Sequence, residues 1–139
     1  MKIFLDANII IDLLDATSYD NLLACEVMRL VRISKKPIYV SPTTFAITFY
    51  IFTKRNKTKG NVRKILIDFF SNFNFTTEDQ KVMNEVLTSD FEDLEDSLQY
   101  YSAKAADIKV IITKNKKDFN ETKEVKIFHP EEFINAYYN

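Results

Sequence analysis

The sequence predicts an α/β domain with three layers, helices on both faces of a short and mainly parallel sheet, and three observations carry that prediction. Short apolar runs suited to strands alternate with longer segments of helical apolar spacing along the whole chain. The 46% hydrophobic content of 139 residues is enough for one continuous core, so residues 1–139 are expected to form a single domain. A charged fraction of 28% and a single glycine argue against disorder or low complexity.

Residues 2–5, KIFL, read as a strand whose polarity changes abruptly at Asp6, and 9-IIIDLLD-15 continues with helical spacing. Leu23, Val27, Leu30 and Val31 supply the apolar stripe of a second helix over about residues 21–31. Pro37 introduces a strand at 38–40, and Ser41 before Pro42 is a good helix start, with Ser as N-cap and Pro in the first turn. That helix should run to about residue 54, followed by an amphipathic helix over 62–70 and a short strand at 73–76. A short helix is expected within 78–87, and Ser89 with Glu92 matches a capping box for a helix over about 90–105. Leu94, Leu98, Tyr101 and Ala105 would be its apolar face, with Asp93, Asp96 and Tyr100 on a neighbouring stripe. The β-branched run 108–113 is a buried strand, 126–128 a weaker one, and 130–138 a closing helix that begins on Pro130.

Several function classes are excluded early. No apolar run reaches the roughly 20 residues that cross a bilayer, and Asp6 and Asn8 interrupt what a secretory leader would need, which points to the cytoplasm. Cys25 is alone, so no disulfide or cysteine zinc site can form within the chain, and His129 has no second histidine to make a metal pair. Net charge is only -1, yet the charges are segregated. Lys54, Arg55, Lys57, Lys59, Arg63 and Lys64 fall in a stretch without acids, whereas 90-DFEDLED-96 is dense in carboxylates.

The acids are the chemical signal. The helix macrodipole explains carboxylates in a first turn, which covers Asp90 and Glu92 but leaves Asp96 unexplained. Asp93 and Asp96 face the same way and repel unless solvent, a proton or a cation intervenes. In a parallel sheet, sites lie beyond the carboxyl ends of the strands. There Asp6 follows KIFL, while Asn115 and Asp118 follow IKVIIT, so three distant segments converge. Oxygen ligands without His or Cys select Mg²⁺ or Mn²⁺. Ordinary alternatives exist for each: Asp6 as a helix N-cap, Asn115 and Asp118 as a turn.

These segments resemble the PIN-domain family, which includes the VapC-type ribonuclease toxins. The resemblance spans essentially the whole chain and rests on three stretches: 4-FLDANIIIDLLD-15, 90-DFEDLEDSLQYYSAKAADIKVIITKNKKDF-119 and 127-IFHPEEFI-134. It implies a metal-dependent nuclease with catalytic acids at Asp6, Asp93, Asp96 and Asp118. Asp6, Asp96 and Asp93 would hold Mg²⁺ or Mn²⁺, and Asn8 and Asn115 would support them. It also implies an RNA substrate, an antitoxin protein and homodimer formation as partners. The chain departs from the family at two places. Ile47 stands where a Glu is common, leaving only neutral Thr44 or Thr48 nearby, and Asn115 stands where Asp is frequent. A domain with weakened catalysis that binds RNA or a protein is the alternative. Lys54, Arg55 and Lys57, with Lys114, Lys116 and Lys117, are the candidate cations for the RNA backbone, though the first block also suits a solvated helix end. The aromatic surplus of 45-FAITFYIFTK-54 marks an association surface.

Overall fold

The computed structural model describes residues 1–55, 59–119 and 125–138, the side chains of residues 59, 60 and 118 excepted. Five strands pair in the order β3-β2-β1-β4-β5, where β1 is Ile3–Leu5, β2 Ile38–Val40, β3 Asn74–Phe75, β4 Val110–Ile112 and β5 Lys126–Phe128. Every pairing is parallel, so the expected sheet is parallel throughout these strands. The register sets Ile3 opposite Ile38 and Val110, and Leu5 opposite Ile112. The helices are α1 (Ala7–Leu14), α2 (Asn21–Ile33), α3 (Pro42–Arg55), α4 (Lys59–Phe70), α5 (Gln80–Leu87), α6 (Leu94–Ala105) and α7 (Pro130–Tyr138).

The strands' two-residue period divides the core into two halves. Ile3, Leu5, Val40, Val110 and Ile112 face one layer with Ile9, Ile10, Val27, Val31, Leu66 and Phe70 of the helices. Phe4, Ile111 and Ile127 face the other, against Tyr100, Ala103, Ile108 and Phe119. A short continuous apolar run buried on both sides is what a parallel strand requires, which is why KIFL carries no alternation.

The chain leaves β1 toward one edge of the sheet and returns beside β1 as β4, so the crevice between the ends of β1 and β4 is the topological switch point. The Asp6 N–H donates to the Ile112 carbonyl at 3.0 Å and locks these two ends together.

Helix ends were partly legible. Ser41 does cap α3, its hydroxyl accepting from the Thr44 N–H at 3.0 Å. The expected capping box at Ser89 does not form. Helix α6 starts four residues later than expected, at Leu94, because the Asp93 carboxylate accepts the N–H groups of Glu95 (2.9 Å) and Asp96 (3.1 Å). Ser89 instead donates to the Val86 carbonyl and finishes α5. With one glycine in the chain, α2 and α6 exit through Lys35 and Asp107, both at positive φ, where glycine is the usual choice.

The largest correction concerns the face of α6. Leu94 is 60% exposed, and the buried positions are Asp96, Ser97, Gln99, Tyr100, Ser102 and Ala103. The helix therefore turns a mixed polar face inward. That orientation follows from what Asp96 and Gln99 meet there.

Candidate active site

Asp6 lies one residue beyond β1 and is 1% exposed. As N-cap of α1 its Oδ1 accepts the Ala7 N–H at 2.7 Å. Its Oδ2 accepts from the Thr113 hydroxyl at 2.6 Å and from Asn8 Nδ2 at 2.9 Å. Burial pushes the Asp6 carboxyl up from its ordinary range, and the hydrogen bonds from Thr113, Ala7, Gln99 and Asn8 oppose that rise. The N-cap bond and the side-chain bonds thus fall on different oxygens of one carboxylate.

Thr113, just past β4, is fully buried and also accepts the Asn115 N–H at 3.0 Å. Asn8 Oδ1 accepts the Lys114 N–H at 3.3 Å. The turns after β1 and β4 are therefore stitched to each other through Asp6, Asn8 and Thr113. Asn115 is exposed and precedes a single 3-10 turn, Lys116–Asp118. The Asp118 side chain lies outside the described residues, as does Lys57.

Helix α6 brings its first turn to the same place. Asp96 is 4% exposed. One turn on, Gln99 Oε1 accepts the Ala7 N–H at 3.2 Å, which fixes α6 against the start of α1. Glu95 is exposed, and its carboxyl is raised first by desolvation, then by the negative charges of Asp93 and Asp6. Asp93 keeps Oδ1 on the helix N–H groups, leaving Oδ2 outside the cap bonds. Helix α3 contributes no carboxylate. Ile47 is half-buried, while Thr44, fully buried, donates to Gln99 Oε1 at 3.2 Å.

The donor set is carboxylate, amide and hydroxyl oxygen, which fits a hard ion such as Mg²⁺ or Mn²⁺ and not zinc. Among the described residues no three His, Cys, Asp or Glu gather closely enough to enclose a metal. Such a site would take few protein ligands and retain several waters, which is the common habit of Mg²⁺.

The cations are more committed than their sequence suggested. Lys114 Nζ bridges Asp12 at 2.5 Å and Asp20 at 3.1 Å. Partial burial works against the Lys114 charge, but these two carboxylates prevail and raise its pKa. Arg55 pairs with Asp15 at 2.9 Å and Lys116 with Glu132 at 2.9 Å, and Lys54 sits over the Tyr50 ring at 4.9 Å. Lys117 is exposed on the 3-10 turn. Substituting Lys114→Ala should cost about 1–3 kcal/mol, because among the described residues the nearly buried Asp12 then keeps only the Ser18 hydroxyl, on its other oxygen. A urea midpoint that does not move, at unchanged slope, would contradict this. His129 acts locally, its Nδ1 accepting the Glu131 N–H at 3.3 Å at the start of α7.

A family model described as "PIN domain" matches residues 2–117. The chain belongs to the PIN-domain family. Ribonuclease VapC1 of Aquifex aeolicus (strain VF5) is 25% identical over 135 residues, 95% of this chain and 92% of that protein. The structure of VapBC2 from Rickettsia felis, bound to a DNA fragment from their promoter, matches at TM-score 0.67 and 18% identity, covering 93% of this chain and 98% of that one. Mycobacterium tuberculosis VapC20, a toxin that cleaves the sarcin-ricin loop, matches at TM-score 0.59 and 15% identity, covering 78% and 86%. These solved structures share this PIN domain's fold.

Sequence reasoning passed over Gln99, Glu95 and Thr113. Gln99 was discoverable, because it lies three residues after Asp96 on one helical stripe and a buried polar residue there needs a reason. Glu95 offered no such signal, since a first-turn acid is ordinary.

Proposed function

We propose that this PIN domain, taken as residues 1–139, is a divalent-metal-dependent endoribonuclease that hydrolyses phosphodiester bonds in RNA. The observation that carries the reading is the convergence at the switch point, where the buried Asp6 meets the first turn of α6 with Asp93, Glu95 and Asp96. The curated relative named a ribonuclease over 95% of this chain supports the substrate class. A bound Mg²⁺ or Mn²⁺ supplies Lewis acidity toward a phosphoryl oxygen and acidifies water. Asp6 and Asp96 would hold the ion, and Asp93, whose Oδ2 lies outside the cap bonds, would add a ligand oxygen or act as a water-orienting base. Asn8 and Thr113 keep Asp6 in its rotamer, and Asn115 and Asp118 would place metal-bound water. Lys117, exposed on its turn, receives phosphates, with Lys54, Lys57 and the ion-paired Arg55, Lys114 and Lys116 as further candidate cations.

The VapBC complex among the structural relatives supports a cognate antitoxin as a protein partner, and exposed Tyr50, Ile65, Ile67 and Phe75 give either that partner or a second copy apolar surface. Among the described residues no helix is long and apolar enough to cross a membrane, and a cytoplasmic site of action is in keeping with an RNA substrate.

The second reading, a PIN domain that binds RNA or protein without cutting, is favoured by two observations. Ile47 leaves α3 without an acid, and the described residues hold no cluster of three metal-ligating groups. Mixed single-stranded RNAs incubated with pure protein and Mn²⁺ separate the two. Cleavage that chelator abolishes and Asp96→Asn removes is the expected result. Cleavage persisting in Asp96→Asn would reject this site, and neither cleavage nor Mn²⁺ uptake by wild type would leave the binding reading.

A further inference from the structure

Gln99 is a fully buried carboxamide in the middle of α6, and its two ends have different fates. Oε1 accepts the Ala7 N–H and the Thr44 hydroxyl, both at 3.2 Å. Those partners fix which end is oxygen, because Ala7 N–H can only donate. Nε2 is buried and makes no hydrogen bond of standard geometry among the described residues. A buried amide donor left in that state costs free energy unless a nearby acceptor or ligand uses it. The Asp6 carboxylate lies beside this carboxamide, since Asp6 Oδ1 and Gln99 Oε1 share the Ala7 N–H, and Gln99 is among the groups that hold the Asp6 carboxyl down against its burial.

Three segments meet at this side chain. Ala7 belongs to the turn that holds Asp6, Thr44 belongs to α3, and Gln99 itself lies one turn beyond Asp96. Thr44 is in turn tied to the Ser41 hydroxyl at 3.0 Å, so the contact is anchored in the cap of α3. Because Ile47 is apolar, the link from α3 to the Asp6 turn runs through Thr44 and Gln99.

We propose that Gln99 is a positioning residue of the nuclease site, its carboxamide setting the spacing between Asp6 and Asp96 through Ala7 and Thr44 and presenting Nε2 to the Asp6 carboxylate. This rests on the metal-dependent reading above, but its test does not need RNA cleavage. Gln99→Met keeps length and bulk while removing both polar ends. It should weaken Mn²⁺ binding, read by calorimetry, about tenfold, as loss of an outer-shell partner does, and move the Ala7 amide resonance in the metal-free protein. Gln99→Glu keeps the oxygen that Ala7 and Thr44 need and exchanges Nε2 for a second oxygen beside Asp6. It should lower Tm without metal, recover it with Mn²⁺, and bind Mn²⁺ about tenfold more tightly than wild type through the added hard oxygen ligand. In an Asp6→Asn background that gain should vanish, which a residue acting only in packing would not produce.

Wild-type Mn²⁺ affinity and an unmoved Ala7 resonance in Gln99→Met would overturn the proposal. So would a Gln99→Glu protein whose Mn²⁺ affinity matches wild type. If wild type neither takes up Mn²⁺ nor cuts RNA, the nuclease reading fails by itself. Mn²⁺ uptake gained by Gln99→Glu then still supports the placement of Gln99 against Asp6, and its absence rejects it. Should Gln99→Met fail to fold, the Gln99→Glu comparison decides.

Discussion

Asp6→Asn is expected to lower RNA cleavage by at least about a hundredfold, roughly 2.7 kcal/mol of barrier, while leaving the fold intact. On the proposed reading the loss follows from removing one of the carboxylates that would hold the ion, at the point where β1, β4 and α6 meet. A second signature should accompany it in the metal-free protein. The unfolded chain releases the Asp6 proton near the ordinary value of 3.8, whereas burial makes the folded chain release it at higher pH. Between those two values the folded state binds more protons than the unfolded state, so stability falls as pH rises. Asparagine does not titrate. The Tm of the variant minus that of wild type should therefore increase from about pH 4 upward and level off above the folded-state pKa. Asparagine also sets its Nδ2 against the donors Asn8 and Thr113, or turns its oxygen away from Ala7, and either cost is the same at every pH. The slope of the difference is thus the informative quantity. A flat difference would mean that burial of Asp6 carries no ionisation cost.

Phe4→Ala should have the largest effect on stability, a loss of about 3–5 kcal/mol. Phe4 is fully buried at the centre of the sheet, between Tyr39 and Ile111 in register, and packs on Tyr100 and Ala103 of α6. Truncation opens a cavity bounded by strands on both sides, which leaves little room to collapse. A domain of this size has only about 5–15 kcal/mol in total, so a measurable unfolded population is expected at 25 °C. Equilibrium urea denaturation gives the value directly, and a loss below about 1 kcal/mol would show that the sheet and α6 close over the space. Because α6 carries Asp96 and Gln99, the variant should also lose cleavage in excess of its unfolded fraction.

Local chemistry made some of this protein legible without coordinates. The short apolar runs KIFL and IKVIIT, rich in β-branched residues in the second case, suit buried strands, and the change in polarity at Asp6 and from Thr113 to Asn115 marks their ends. Ser41 before Pro42 fixes the start of α3 by hydrogen bonding and ring geometry alone. Other features were misread for a physical reason. Ser89 and Asp93 are both good caps, and the choice fell to Asp93 because Phe91 packs against Tyr100 and Phe119, which pulls residues 89–93 out of the helix.

The face of α6 was the larger misreading, and it bears on function. A helical wheel ranks faces by hydrophobicity, so it favoured Leu94, Leu98, Tyr101 and Ala105. The folded chain buries Asp96 and Gln99, because an acceptor for the Ala7 N–H and a partner for Thr44 exist only once β1, α3 and α6 are side by side. In the same way Lys114 reads as a free cation beside the site until Asp12 and Asp20 are found on it. Residue identity and spacing determined by themselves the strands, their parallel alternation with helices, and Asp6 as the acid at the end of β1, since these depend on contacts within a few residues. Which charges are neutralised, which face of α6 turns inward, and how Gln99 joins Asp6 to α3 were decided by tertiary structure, because each depends on groups brought within hydrogen-bonding distance from far along the chain.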